Sequence, residues 1–562
     1  MVATGESAEA SLAADRLRHE QLQEAAWRAE QARTLTVDQG ASASERASAE
    51  VAAAAARDEA GALGEQIAAR ALELDLRDAA GATAMAAAHE RCAARLMTLC
   101  LANGGVYIKL GQHIAQLDYL VPEAYTRALS PLFQHSSESS WDEVVAVVTA
   151  ELGLHPDQAY DGFERAPIAS ASLAQVHRAR HRRTGEPLAV KVQHAGLREA
   201  SSADVAAVGM AVAAAARLFP DEFTLRWVYE EMSQLLPLEL DFRQEAANAD
   251  RCRAFFSRGG GGEALAGRVV VPAVDASQTT ARVLTMRFEE GVSVTDVAGL
   301  RRAGLKPSHA SALLSQAFLS MVFTGHFVHC DPHPGNILCR PAPAAGTSRF
   351  WWAREWVRWL VGVAPAPQLV ILDHGLYRDF DQSFVLSYAR LWRAIVTADA
   401  DGIRAEADWL GVGKYYTLLA AMLTARPWSD ILRSKDDPAR LRERGTAADK
   451  AQIRTYAAQY AKAIAVVLNH LPRPMLLLLK TNDCLRHADR QLGSPVNSFV
   501  LTLRHCVAAI RADEAEQRRQ ARARAGPVGG VLLALRGWLS DAWLAFEEGL
   551  LRLAAMWSGA AI

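Results

Sequence analysis

Eight residues, His329-Cys330-Asp331-Pro332-His333-Pro334-Gly335-Asn336, constrain the fold more than any other stretch. Two prolines and a glycine exclude a helix interior or a central strand, because proline lacks the N–H that both ladders need. What remains is a fixed loop that carries Asp331 and Asn336 as oxygen donors. The His-x-Asp-x-His spacing also invites zinc, but a proline-fixed loop with a carboxylate and an amide suits a hard cation such as Mg²⁺ better. Further on, the apolar run Leu369-Val370-Ile371-Leu372 ends at Asp373-His374-Gly375. It reads as a strand that delivers a carboxylate to a glycine turn.

Upstream, Leu188-Ala189-Val190-Lys191 follows the turn Thr184-Gly185-Glu186-Pro187 and alternates as a strand presenting one lysine. Later still, Glu239-Leu240-Asp241-Phe242-Arg243-Gln244-Glu245 supplies carboxylates on a helical stretch, with Glu245 as candidate partner of Lys191. Either feature alone is compatible with a solvated surface. Phosphoryl transfer, however, needs a cation on the phosphates, a carboxylate to fix it, two metal ligands and a residue that orients the acceptor. All five types occur here, in the chain order such a site expects: Lys191, Glu245, Asp331, Asn336 and Asp373. Asp331 and Asn336 keep the spacing of H-R-D-x-x-x-x-N, and Asp373-x-Gly375 the form of D-F-G.

The remaining organisation fits a large two-lobed chain with flanking segments. Residues 1–85 are rich in Ala, Glu, Gln, Arg and Ser and are expected to be partly helical, weakly packed and of low complexity. Residues 86–165 read as a helical extension, 166–290 as a strand-bearing lobe and 291–510 as a mainly helical lobe. An insert at 341–368 and a basic, amphipathic tail at 511–562 complete the division. The 61 Lys+Arg nearly balance 63 Asp+Glu, which argues against nucleic acid as partner. Seven cysteines without a C-x-x-C pair argue for a reduced, intracellular chain without a zinc ribbon. Glu6, Glu9 and Asp15 without an apolar core speak against a secretory signal. Val205 to Ala216 is the most apolar interior run and is expected to be a soluble helix, since a span needs about 20 such residues.

With these motifs in place, the sequence resembles the UbiB-type, aarF-domain atypical kinases from about Cys92 to Val507. Lys109-Leu110-Gly111-Gln112 matches that family's K-x-G-Q, Glu239-x-Asp241 its E-x-D, and Ala169-Ser170-Ala171-Ser172 its alanine-rich nucleotide loop. Leu372 to Tyr377 and Lys480-Thr481-Asn482-Asp483 look like the aarF-domain-containing kinase 1 branch. The resemblance implies an α+β, protein-kinase-like two-lobe fold with a K-x-G-Q helical extension and a largely helical C-lobe. It implies ATP between the lobes, with adenine against the backbone near Met286 to Glu289. Lys191 would grip phosphates, Glu245 would steady it, and Asn336 and Asp373 would hold Mg²⁺. Asp331 would orient water or an acceptor hydroxyl, while Lys109 and Gln112 would reach the nucleotide and meet Glu239 and Asp241. Ser170 departs from the family's alanine. No A-P-E segment follows Asp373, so ATP hydrolysis or small-molecule phosphotransfer is the expected activity, with a mitochondrial, membrane-peripheral location by resemblance and the acceptor unassigned.

Two features lie outside that resemblance. Trp351, Trp352, Trp356 and Trp359 are interleaved with Arg354 and Arg358, a pattern suited to a lipid surface. Leu535, Leu539, Phe546, Leu550, Leu553 and Trp557 recur at helical spacing in the tail. They motivate an alternative function, a nucleotide-gated scaffold that binds lipids or membrane partners.

Overall fold

The computed structural model describes residues 14–15, 17–19, 21–33, 42–115, 121–133, 138–218, 226–343, 365–424, 426, 428–433, 467, 470–493 and 498–524. The Trp-rich segment and the amphipathic tail lie outside the described residues. Two compact units are present, Met1–Arg95 and Leu96–Ile562. In the first, a helix over 21–33 and the part of the long helix α1 (Ala43–Asn103) up to Arg95 bury Ala26, Ala53 and Ala60. Helix α1 runs 61 residues through position 85, where the sequence suggested a change from weakly packed to folded chain. Alanine-rich composition explains this: it has high helix propensity but leaves little apolar periodicity to read.

The second unit builds its smaller lobe on an antiparallel sheet, β1 (Ala169–Ser170), β2 (Ala174–Arg180), β3 (Pro187–Gln193) and β5 (Val283–Arg287), in the order β1-β2-β3-β5. Strand alternation assigns the two faces of β3. Leu188, Val190 and Val192 pack against Val144, Val147 and Val148 of α4 (Trp141–Leu152). Ala189 points the other way, into a cluster with Ala174, Phe242, Leu284 and Met286. Lys191 shares that second face, and so is carried toward the interlobe side.

Helices α2 (Gly105–Ala115) and α3 (Glu123–Leu129) precede this lobe, while α5 (Leu197–Leu218), α6 (Arg226–Glu239) and α7 (Phe242–Phe255) follow β3. Helix α5 corrects the expectation of a short run. It has 22 residues, is long and apolar enough by length and composition to cross a membrane, and buries only 6% of its apolar window.

The larger lobe contains a second sheet ordered β4-β9-β8-β6, with β4 (Val269–Val270), β6 (Val292–Ser293), β8 (Ile337–Pro341) and β9 (Pro367–Ile371). Strands β7 (Phe327–His329) and β10 (Tyr377–Asp379) form a two-stranded antiparallel ladder. Around them pack α8 (Pro307–Ser320), α9 (Gln382–Val396), α10 (Ala400–Trp409), α11 (Tyr416–Thr424), α12 (Arg473–Gln491) and α13 (Ser498–Arg524). Buried apolar side chains of α9, α11, α12 and α13, with Ile403 and Ala407 of α10, form one core, and α8 closes a second against β8 and β9. The two sheets, with their helices, give an α+β two-lobe architecture.

Candidate active site

Lys191 leaves β3 and meets Glu245 of α7, both carboxylate oxygens lying 2.9 Å from Nζ. Phe242, one helical turn before Glu245, places its ring 5.1 Å below the ammonium. Asp373 Oδ1 lies 3.9 Å from the same nitrogen. Burial works against a charged lysine here, but Asp373 and Glu245 outweigh it and hold the Lys191 pKa above the ordinary value. Burial also pushes Glu245 up to about 7 despite Lys191, because Asp373 adds a second negative charge nearby.

The eight-residue loop is a chain of local hydrogen bonds. Asp331 N–H donates to His329 Nδ1 at 3.2 Å, His333 N–H to Asp331 O at 2.7 Å and Asn336 N–H to His333 O at 2.9 Å. Leu376 O accepts from Cys330 N–H at 3.0 Å, which ties the loop to the turn after β9. That turn holds Asp373: Gly375 N–H donates to Oδ1 at 2.9 Å, and Asn336 Nδ2 to Oδ2 at 3.1 Å. Burial alone would raise the Asp373 pKa, but Lys191 and the Gly375 N–H keep it below the usual carboxylate range. Asp331 is likewise held down at about 2, since Lys480 and Lys109 override its burial. Burial and the neighbouring Lys480 and Lys109 depress His113 well below the ordinary imidazole value.

On α2, Lys109 Nζ pairs with Glu239 at 2.8 Å. Gln112 and Asp241 are placed elsewhere. Gln112 donates to Leu132 O at 2.9 Å, and Asp241 caps α7 by accepting from Arg243 N–H at 3.1 Å and pairs with the Arg243 guanidinium. Both side chains are therefore engaged in holding helices, one beside α3 and the other at the start of α7.

Ala169 and Ser170 pair with Val176 and Gln175, and Ala171 N–H donates to Ala174 O at 2.8 Å, which closes a tight hairpin around buried Ser172. His194 bridges this hairpin, reaching Ala171 O at 2.9 Å and Ser139 Oγ at 2.8 Å. Met286 is buried opposite Ala189 at the end of β5. Beyond it, Glu289 joins Arg340 at 2.7 Å, so the connection between the lobes is anchored to the larger one.

Sequence reasoning missed the roles of Asn248 and Lys480. Asn248 Nδ2 donates to His374 O at 2.9 Å, and Lys480 Nζ stands 3.4 Å from Asp331 Oδ1. One helical turn after Glu245, Asn248 had a periodicity signal; Lys480, on a distant helix, had none beyond its place in a branch motif.

A strand lysine paired to a helix carboxylate, facing an Asp-x-Gly turn and an Asp–Asn loop, defines a kinase-like domain. The ABC1 atypical kinase-like domain matches residues 131–407. AarF domain-containing protein kinase 1 of Mus musculus is 37% identical, over 75% of this chain and 74% of its own length. Its Drosophila melanogaster counterpart is 34% identical over 76% of each chain, and a protein named for ABC1 in Arabidopsis thaliana is 43% identical over 74% of each. The chain belongs to the ABC1/AarF family of atypical kinases. A solved structure of Rv3197 with erythromycin from Mycobacterium tuberculosis is similar at 24% identity and a TM-score of 0.38, covering 60% of this chain and 76% of that one.

Proposed function

We propose that the chain binds Mg·ATP between its lobes and either hydrolyses it or transfers the γ-phosphoryl group to a small acceptor. The observation that carries this reading is the Lys191–Glu245 pair facing Asp373, with Asn336 hydrogen-bonded to the same carboxylate. Lys191 binds phosphate oxygens, and the Ala169 to Ser172 hairpin covers them. The backbone from Met286 to Glu289 receives the adenine, and Lys109, braced by Glu239, adds positive charge at the α2 side.

Among the described residues no three His, Cys, Asp or Glu side chains converge on a metal cage. Asp373 and Asn336 nevertheless fit Mg²⁺, which takes one or two protein oxygens and completes its shell with phosphates and water. When bound, that ion would neutralise charge developing on the phosphates. Asp331 orients the acceptor O–H and takes its proton while oxygen bonds to the γ-phosphorus and the bond to the β-bridging oxygen breaks.

The test is Asp373→Asn in the full chain. Calorimetry with Mg·ATP should show affinity lowered at least tenfold, and phosphate release should fall to background. Unchanged affinity and turnover would remove Asp373, and the reading with it.

A further inference from the structure

Side chains from outside the residues shared with the family domain also face the catalytic loop. Lys480 lies well beyond residue 407, where that match ends, yet its ammonium is 3.4 Å from Asp331 Oδ1. That carboxylate oxygen is buried and has no hydrogen-bond partner among the described residues. The other two lysines of the site are already committed, Lys191 to Glu245 at 2.9 Å and Lys109 to Glu239 at 2.8 Å. Among the described residues, Lys480 is therefore the cation at ion-pair distance from Asp331.

Helix α12 holds Lys480 rigidly. Asn482 Nδ2 donates to Tyr388 OH of α9 at 2.7 Å, Ser311 Oγ of α8 donates to Asp489 at 2.6 Å, and Arg486 donates to the Leu423 carbonyl of α11. Three helices thus fix the part of α12 that directly follows a lysine whose side chain is only 15% exposed. Burying a lysine this way brings little net stability, because desolvation offsets the attraction. At 3.4 Å the ammonium restrains buried Oδ1 and leaves the other carboxylate oxygen to meet an acceptor hydroxyl.

We propose that Lys480 is a positioning residue for phosphoryl transfer, fixing the Asp331 carboxylate in the orientation that meets the acceptor hydroxyl. This rests on the Mg·ATP reading above. The test compares Lys480→Met, Lys480→Gln and Lys480→Arg in the full chain, alone and combined with Asp331→Asn. Mg·ATP affinity is read by calorimetry, turnover by phosphate release and folding by thermal melting; the Gln variant takes the place of Met should the latter not fold.

The expected result is affinity within twofold of the parent and turnover lowered 10- to 100-fold in Lys480→Met, partly regained in Lys480→Arg. In the Asp331→Asn background, Lys480→Met should produce no further loss, because the group it positions is gone. Turnover within twofold of the parent, or the same loss in both backgrounds, overturns the proposal and leaves the Mg·ATP reading standing. A parent chain that neither binds nor turns over Mg·ATP overturns both.

Discussion

Gly111 occupies a helix position where alanine would ordinarily be the more stable residue. A Cβ there would lie 2.3 Å from Leu132 Cδ1 and 3.0 Å from Cys100 Sγ. Both neighbours are essentially inaccessible, so neither has room to move. The glycine of K-x-G-Q therefore lets α2 approach its own core closely, which sets the height at which Lys109 meets Glu239. Gly111→Ala should cost about 1–3 kcal/mol through overpacking, visible as a lower urea midpoint with an unchanged slope. An unaltered midpoint would mean that Leu132 and Cys100 yield. Lys191, Glu245, Asp331, Asn336 and Asp373 could be picked out from sequence because each sits on a short strand, turn or helix whose local pattern dictates where its side chain points. Gln112 and Asp241 could not be placed that way. Their contacts depend on how α2 meets Leu132 and on Arg243 competing for the carboxylate, neither of which has a local signature.

Helix α7 joins the lobes as a single element. Phe242, Glu245, Ala249 and Cys252 recur on its buried face, and Asn248 beside them donates to the His374 carbonyl at 2.9 Å. Arg251 pairs with Asp379 and stacks 3.7 Å over Phe327. The helix that carries Glu245 is thus clamped to the Asp373 turn and to the β7–β10 ladder. In this arrangement Glu245 already meets Lys191 at 2.9 Å. Asn248→Ala removes a buried bond and leaves the His374 carbonyl unpaired, an expected loss of about 1–3 kcal/mol. In the same variant, Mg·ATP turnover should fall, because Glu245 loses its register. Arg251→Ala should cost less, about 1 kcal/mol, since both partners of its ion pair are more than half exposed and the contact over Phe327 contributes about 0.5–1 kcal/mol. Equal effects in the two variants would contradict the clamp as drawn. At this scale β3 was legible from its alternation and β9 from the apolar run that ends at Asp373. Strands β6, β7 and β10 have only two or three residues, too few for a period to emerge, and pairing with distant partners decides them instead.

For the molecule as a whole, the order of motifs along the chain was enough to imply two lobes, but the joint between them had no sequence signal. It is made by three polar residues far apart in the chain. Arg340 of β8 donates Nη1 to Glu289 at 2.7 Å and to the Glu290 carbonyl at 3.2 Å, while its Nε donates to Gln368 of β9 at 2.7 Å. Gln368 in turn donates to the Gly267 carbonyl at 2.7 Å. The segment leaving β5, where the adenine is proposed to bind, is thereby fastened to the larger lobe's sheet. Glu289 is only 8% exposed, so removing Arg340 strands a carboxylate whose other cation, Arg287, is 3.6 Å away and largely in solvent. Arg340→Met should therefore destabilise by about 2–3 kcal/mol, and Glu289→Gln in the same chain should recover part of that loss by removing the uncompensated charge. Because the lobes would also lose their fixed joint, Mg·ATP affinity should weaken several-fold in Arg340→Met and stay weak in the double variant, whose stability is partly restored. Urea unfolding and calorimetry on the parent, the two single variants and the double variant separate the two effects. If affinity recovers together with stability, the joint contributes only to folding and does not set the geometry of the cleft.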